Sequence, residues 1–378
     1  MGHVMGGYRT ALAAVLLVAA CGGNPFIVED DDGTPLDPED PNTSVNSKFA
    51  WDPKNDLTMN AVTYDRANNQ LVINNLPFDG PDGRYDNVFT LANGVGAYGS
   101  RQTDTTGKIK HYAVFIESDY MQATAAAGVN WVQYGNAGAN INRSAFRLPA
   151  SGEYEYAGTY AANRTFDSRS GIELVTGDVE LLVDVSDFDP AGGIQGDIIG
   201  QIYNRTRVDL NTGAAYGEEL PRISLVEVSF NTQFGTFGDA DEGTLGEVVT
   251  ALPSGGVWSE GTYGGLFGGP NGEELGGFLV MEGTANIKVV QYEVVNYRTA
   301  GGELVIATGL QVISSQQLEA MINSRDPAVV AGIPNFIAAP ALPPGATLVS
   351  TATQNITIST DYNAREIGVF IGDQVATP

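Results

Sequence analysis

Cysteine and histidine are almost absent from this chain of 378 residues. The one cysteine is Cys21, so the chain forms no internal disulfide and no cysteine-based zinc site. The two histidines are His3 and His111, and the chain has no Gly-x-Ser-x-Gly nucleophile motif for either of them to serve. The sequence therefore predicts no catalytic residue, no metal site and no cofactor, and hence a protein that is not an enzyme.

Basic residues are scarce as well. The chain has 19 Lys and Arg against 45 Asp and Glu, which gives a formal net charge of −26. Such a charge repels the phosphate backbone, so we expect no nucleic-acid partner. An acidic surface of this kind is typical of proteins that stay soluble outside the cytoplasm.

The apolar run near the start of the chain is shorter than a membrane-spanning helix, which needs about 20 residues. It extends over residues 11–20 after a single Arg, and it fits the apolar region of a secretory signal. The run ends in "VAAC", which resembles a bacterial lipobox, where the cysteine after the cleavage site is acylated. The alternative is an ordinary signal peptide with a chance cysteine.

We therefore predict a lipoprotein signal peptide at residues 1–20 and lipidation of Cys21. The lipid would anchor the protein to the outer membrane, on its surface or its periplasmic face. Residues 21–47 are rich in Asp, Glu and Pro, and they predict an extended acidic tether.

Glycine is abundant, with 47 residues, and short alternating runs separated by turn residues fill the chain from about residue 48 onward. The run "DVELLVDV" places apolar residues on one face and mostly polar residues on the other, as a β-strand does. The apolar positions are Val179, Leu181, Val183 and Val185. The pattern predicts an all-β protein.

The segment "GGLFGGPNGEELGGFLVMEG" (264–283) carries eight glycines between strand-like runs. In a small closed barrel, glycines on the inner face let strands bend and make room for large side chains. We expect this segment to be a barrel hairpin with aromatic packing and not a phosphate-binding loop. The side chains predicted to fill the interior are Tyr263 and Phe267 around Gly265, and Phe278 and Val280 beside Gly276.

This hairpin resembles the closing hairpin of the transferrin-binding protein B-like bacterial surface lipoproteins, which has the form Gly-x-Phe-Tyr-Gly-Pro-x-x-x-Glu-Leu-Gly-Gly. The matching barrel-motif residues are Gly269, Pro270, Glu274, Leu275, Gly276 and Gly277. The resemblance covers about residues 150–285 and implies a single lobe, in which an eight-stranded antiparallel β-barrel lies beside a smaller handle sheet. It also implies a lipoprotein that presents loops to a partner.

The predicted organisation follows from the resemblance and from the strand pattern. Residues 48–148 would form the β-rich handle and residues 149–285 the barrel. Residues 286–378 would be a C-terminal β segment that completes the handle or the barrel, or forms a third small β unit. One or two short helices are expected, including "SSQQLEAMINS", which begins at Ser314 or Ser315.

Two phenylalanines stand out in the loop "NTQFGTFGDADEG". Phe234 and Phe237 lie three residues apart among glycines, which predicts a loop that contacts a partner. The alternative is that both rings close the end of the barrel. Three other segments favour ordinary structure. "GVGAYG" (94–99) is followed by a loop and not by the helix of a dinucleotide site. "DADEG" and "DVSDFDP" are typical of solvated turns, and the alternative is that their oxygen-rich loops bind Ca²⁺ weakly.

The function predicted from these features is that of an outer-membrane-anchored lipoprotein. It would bind an unknown protein or small solute through loops of the barrel and handle, without a cofactor. One alternative is a structural envelope lipoprotein with no soluble ligand. Another is a glycan hydrolase, which would need two carboxyl groups placed across a cleft.

Overall fold

The computed structural model describes residues 41–80, 83–105, 107–128, 133–149, 151–185, 196–238, 246–251 and 256–375. Within these residues the chain forms 22 strands, two short α-helices and three single 3-10 turns. The predicted all-β class is therefore confirmed.

The first eight strands form one antiparallel sheet. They are β1 (Ser47–Phe49), β2 (Ala61–Asp65), β3 (Gln70–Asn74), β4 (Arg84–Thr90), β5 (Gly96–Ser100), β6 (His111–Glu117), β7 (Met121–Gly128) and β8 (Ala137–Arg143). Their order is β1-β8-β7-β6-β5-β4-β3-β2, so strands β2 to β8 form a meander and β1 pairs with β8 at one edge. One face buries its own core around Met59, Leu71 and Tyr85. The other face carries small residues such as Ala123 and Ala125, which let the next unit approach closely.

The next nine strands include the longest of the chain, and several of them, such as β10 and β15, alternate between buried and more exposed residues. They are β9 (Gly152–Phe166), β10 (Arg169–Val185), β11 (Gly196–Val208), β12 (Ala215–Leu220), β13 (Ile223–Asn231), β14 (Thr236–Phe237), β15 (Gly246–Ala251), β16 (Val257–Gly268) and β17 (Glu274–Thr284). The residues of β10 predicted to face inward are buried, as a period of two requires.

The C-terminal segment divides between two structures. Its elements are β18 (Ile287–Arg298), β19 (Leu304–Thr308), α1 (Ser315–Ile322), α2 (Pro327–Ala331), β20 (Phe336–Ile337), β21 (Thr347–Ser359) and β22 (Asn363–Gln374). Strands β18 to β21 form a separate small sheet, and Leu318 and Ile322 of α1 pack on it against Val290 and Ile358. Helix α1 begins with a capping box in which Ser314 and Gln317 satisfy each other's backbone N–H groups.

Eight antiparallel strands close into a ring. The order around it is β9, β10, β11, β13, β15, β16, β17, β22 and back to β9. The predicted eight-stranded antiparallel barrel is thus confirmed, and its eighth strand, β22, comes from the C-terminal segment. The predicted domain organisation and its boundaries stay a prediction.

Aromatic rings fill the barrel and are almost wholly buried. They are Tyr156, Tyr160, Phe237, Tyr263, Phe267 and Phe370. A Cβ on Gly265 would lie 2.6 Å from Cζ of Phe237, and one on Gly277 would lie 2.8 Å from Cε2 of Phe370. Since real Cβ atoms do not approach other heavy atoms so closely, only glycine fits at these two positions beside these rings.

The outer face of the same hairpin lies against the first sheet. Phe278 and Val280 pack there, so the prediction that they fill the barrel was wrong. Gly277 points into the barrel, and its neighbours Gly276 and Phe278 therefore point outward. A Cβ on Gly276 would lie 2.6 Å from Cε of Met121, so this glycine allows the two sheets to approach each other.

Candidate functional site

A groove lies between the first sheet and the outer wall of the barrel. Its volume is about 660 Å³, within the range of about 300–1,000 Å³ found for small-molecule sites. One wall is β1 with the turn that follows it, and the other is formed by β16, β17 and the start of β22. We call this the interface groove. Its large apolar lining residues include Phe49, Trp51, Leu57, Phe278 and Val280.

The interface groove carries charges of both signs. Its charged lining residues are Lys48, Asp52, Glu260, Glu282 and Arg365. Aromatic and apolar walls can bury the body of a ligand, while a few charged groups fix its orientation. This combination suits a ligand, or a protein side chain, that has an apolar body and polar ends.

Arg365 joins the two walls of the interface groove. Its Nε donates to Oε1 of Glu282 at 2.9 Å, and its Nη1 donates across to the backbone oxygen of Asn55 at 2.8 Å. Its guanidinium also lies over the ring of Tyr134, with Cζ 4.7 Å from the ring centroid. The side chain is buried, so these contacts fix the turn after β1 against β22.

A second group of charges is buried inside the barrel. Nη2 of Arg205 donates to both carboxylate oxygens of Glu366 at 2.6 Å, and the hydroxyl of Tyr160 donates to the same carboxylate at 2.7 Å. Arg164 lies beside them, with Nη1 3.0 Å from Glu173 and Nε 3.7 Å from Glu366. Two guanidinium groups thus face two carboxylates.

This buried group is built to hold strands together. Burial raises the pKa of Tyr160 well above its ordinary value, so the phenol stays protonated and acts as a donor. Arg164 also donates to the backbone oxygen of Ala285, and Arg205 donates to that of Pro221. The network ties β9, β11 and β22 across the barrel interior and leaves Glu366 paired on both oxygens.

Glu274 of the barrel motif contacts the first sheet. Its carboxylate accepts from the hydroxyl of Ser118 at 2.6 Å and from the backbone N–H groups of Asp119 and Tyr120 at 3.1 and 3.2 Å. Those three residues form the turn between β6 and β7. Burial raises the pKa of Glu274, although these donors oppose the shift. The residue therefore positions one sheet against the other.

The other motif residues shape the hairpin. Gly269 has a φ of +91°, and its N–H and C=O pair with the backbone of Ala145 and Arg147 at 2.9 and 3.0 Å. Pro270 follows at the exposed turn. Leu275 is buried in the barrel core. Together they bend the chain where it meets the connection after β8.

The two phenylalanines predicted to contact a partner have different positions. Phe237 is 1% exposed and packs inside the barrel, 6.0 Å from the ring of Tyr263, so the prediction of an exposed contact ring at this position is corrected. Phe234 is 37% exposed. Arg143 donates to its backbone oxygen at 2.6 Å and to that of Phe267 at 2.9 Å, which fixes the turn. Phe234 stays a predicted contact residue.

His111 is the first residue of β6. It is buried, and its ring lies over the backbone of Gly128. Burial lowers its pKa to about 4, and a backbone hydrogen bond with Pro77 only partly opposes this shift. Among the described residues, its Nδ1 has no hydrogen-bond partner. Its position is that of a neutral core residue.

The remaining patterns match no site in the described residues. The glycines of "GVGAYG" lead into and form part of strand β5, so the helix of a dinucleotide site is missing there. The loop "DADEG" and most of "DVSDFDP" lie outside the described residues. Where side chains are described, no three His, Cys, Asp or Glu residues are placed to hold a metal ion.

Cys21 and the predicted tether before Pro41 lie outside the described residues. Among the described helices, none is both long enough and apolar enough to cross a membrane.

No protein-family model matches the sequence, and no curated protein is similar enough to count as a relative. One solved structure that matches this chain is a double mutant of the vaccine antigen transferrin-binding protein B from Haemophilus parasuis Hp5. The match has 14% sequence identity and a TM-score of 0.27, and it covers 70% of this chain. It covers 44% of the other chain, so this chain spans less than half the length of that protein. The likeness concerns the fold at most.

The interface groove was not predicted from the sequence. Trp51 and Phe278 lie on opposite walls but are separated by more than half of the chain. The one available signal was Gly276, because an outward-facing glycine marks the close approach of another element.

Proposed function

We propose that the chain is a lipid-anchored outer-membrane protein that binds its ligand in the interface groove and has no enzymatic activity. The observation that carries the proposal is the groove itself: about 660 Å³ between two sheets, with apolar walls and charges of both signs. The ligand is an unknown protein or small solute with an apolar group that enters between Trp51 and Phe278.

The scaffold supports this role because each wall is fixed independently of a ligand. Arg365 ties the turn after β1 to β22, and Glu274 ties the hairpin to the turn between β6 and β7. A site held in place before the ligand arrives loses less conformational entropy when it binds. The exposed ring of Phe234 would add a contact if the ligand is a protein.

Anchoring and kinship rest on sequence patterns. The "VAAC" run supports cleavage before Cys21 and its acylation, and the acidic, proline-rich tether supports display of the folded part away from the membrane. The hairpin motif supports membership of the transferrin-binding protein B-like lipoproteins, as a single lobe with a ligand of its own.

The binding proposal is tested by retention experiments with the full chain carrying Cys21→Ser, immobilised and exposed to culture medium and to host fluid. We expect one component to be retained specifically, and Trp51→Ala to weaken its binding at least about tenfold, as expected when a central aromatic contact is removed. The matched control is Phe336→Ala, because Phe336 is 50% exposed on the separate C-terminal sheet. Equal loss in both variants, or retention of nothing, would contradict the proposal.

The anchor is tested separately in cells. The unmodified chain should be found in the outer-membrane fraction, and Cys21→Ser should be found in the soluble fraction. Protease treatment of intact cells then distinguishes display on the surface from attachment on the periplasmic face. An outer-membrane chain that keeps its location after Cys21→Ser would contradict lipid anchoring.

A further inference from the structure

A second concave surface lies on the outer wall of the barrel, away from the first sheet. It has a volume of about 480 Å³ and is formed by β9, β10, β11 and β13 with Val375 after β22. Its floor is apolar: Leu182 is 55% exposed, Ile199 45% and Val375 43%. Leu182 and Ile199 are direct cross-strand neighbours, so the floor is continuous. We call this surface the wall groove.

The charged residues that line the wall groove are all acidic. They are Glu153, Glu155, Asp184, Asp197 and Glu227. No Lys or Arg is among the described residues that line it. An apolar floor within an all-acidic rim is the complement of an apolar segment flanked by basic residues.

Two details of the strands concern the acidic residues of this surface. Asp184 lies directly opposite Glu153 on one neighbouring strand and opposite Asp197 on the other. Like charges in such cross-strand pairs are destabilising. In addition, the register between β11 and β13 shifts opposite Ile199, and both Val226 and Glu227 are exposed at that irregularity. A bulge of this kind directs an extra side chain to the same surface.

We propose that the wall groove binds a basic segment of another protein, with apolar side chains on the floor and Lys or Arg side chains on the acidic rim. Each long basic side chain can cover part of the apolar floor with its aliphatic stem while its charged end reaches a carboxylate. Attraction between opposite charges also speeds the encounter of the two proteins. The wall groove is separate from the interface groove. A negative result for binding at one groove therefore does not contradict the proposal for the other.

Other occupants fit this surface less well. A metal ion needs several converging carboxylates, and the described residues offer no such group here. Nucleic acid and a second copy of this chain both carry strong negative charge, and the rim would repel them. An uncharged apolar partner would leave the five carboxylates of the rim facing it without compensation.

The test uses the full chain and a fluorescent synthetic peptide with a leucine-isoleucine centre flanked by lysines. Binding is followed by fluorescence anisotropy at low and at physiological salt. Two control peptides carry glutamate in place of lysine, or serine in place of the apolar centre. The protein variant combines Asp184→Asn, Asp197→Asn and Glu227→Gln. The matched control combines Glu219→Gln, Glu303→Gln and Glu319→Gln, three exposed carboxylates outside the wall groove.

We expect the lysine-flanked peptide to bind the wild type, and the wall-groove triple variant to bind it at least about tenfold more weakly, with a smaller dependence on salt. The control triple variant, which has the same net charge, should bind as the wild type does. A Leu182→Thr, Ile199→Thr variant should also bind weakly while it keeps the salt dependence. The proposal is overturned if both triple variants lose affinity equally, if the serine peptide binds as well as the apolar one, or if no peptide binds.

Discussion

Gly277→Ala tests whether the barrel depends on glycines that make room for rings. The new Cβ would lie 2.8 Å from Cε2 of Phe370 and 2.8 Å from the backbone oxygen of Gly264. Neither atom is the free end of a flexible side chain, because the ring is wholly buried and the oxygen belongs to the paired strand β16. Overpacking of a core typically costs about 1–3 kcal/mol, and we expect this substitution to lie in the upper part of that range.

A double-mutant cycle with Phe370→Leu identifies the cause. Leucine lacks Cζ and Cε2, the two ring atoms of Phe370 that the new Cβ would approach. The double variant should therefore lose less stability than the sum of the single variants. We expect a favourable coupling of about 1 kcal/mol or more, within the usual range for residues in contact. The free energy of unfolding would be measured by urea denaturation of all four proteins.

The matched control is Gly301→Ala in the turn between β18 and β19. The nearest atom to a Cβ there is Oγ1 of Thr299, at 3.7 Å, which is ordinary contact. We expect a change within about 0.5 kcal/mol, as for most surface substitutions. If Gly277→Ala is as mild as this control, or if the cycle is additive within about 0.5 kcal/mol, the glycine–ring account of the barrel is refuted.

Three further substitutions test buried polar groups. Burial lowers the pKa of His111 to about 4, so the free energy of unfolding of the wild type should decrease as pH falls from the ordinary histidine pKa toward 4. Urea denaturation of His111→Gln at the same pH values should not show this decrease. Burial raises the pKa of Glu274, so the wild type gains stability as pH falls through that raised value, and Glu274→Gln should cost more stability at mildly acidic pH than at neutral pH. Glu366→Gln removes the charge that Arg205 faces and should cost about 3–5 kcal/mol, whereas Asp86→Asn in an exposed ion pair should cost less than about 1 kcal/mol.

The buried face of β10 was predictable because its signal is local. Successive residues of a strand face opposite sides, so the alternation in β10 identified its buried face directly. Which face of β17 points into the barrel was harder to predict, because Phe278 and Leu279 are both at least partly buried, on opposite sides. A strand that is covered on both sides gives no alternation from which to assign the interior, and that is why Phe278 was placed on the wrong side.

The pairing of strands that are distant in the chain could not be predicted from the sequence. The eighth barrel strand, β22, pairs with β9, which precedes it by about 200 residues. The sequence of either strand alone does not identify the other as its neighbour. The same holds for Glu366 and Arg205, whose ion pair joins two distant strands. Phe234 and Phe237 had the same local signature, yet the positions of their neighbours placed one ring in solvent and the other in the core.

Strand β22 connects the fold to both proposed surfaces. It pairs along eleven residues with β17 and eleven with β9, and so it covers two strand edges that would otherwise be open. It also supplies Arg365, which fixes and lines the interface groove, and it leads to Val375, part of the floor of the wall groove. Since β22 is the last barrel strand in chain order, neither surface is complete until the barrel has closed. Binding at either groove would therefore favour the closed barrel over partly folded forms, because a ligand that binds only the folded state stabilises it.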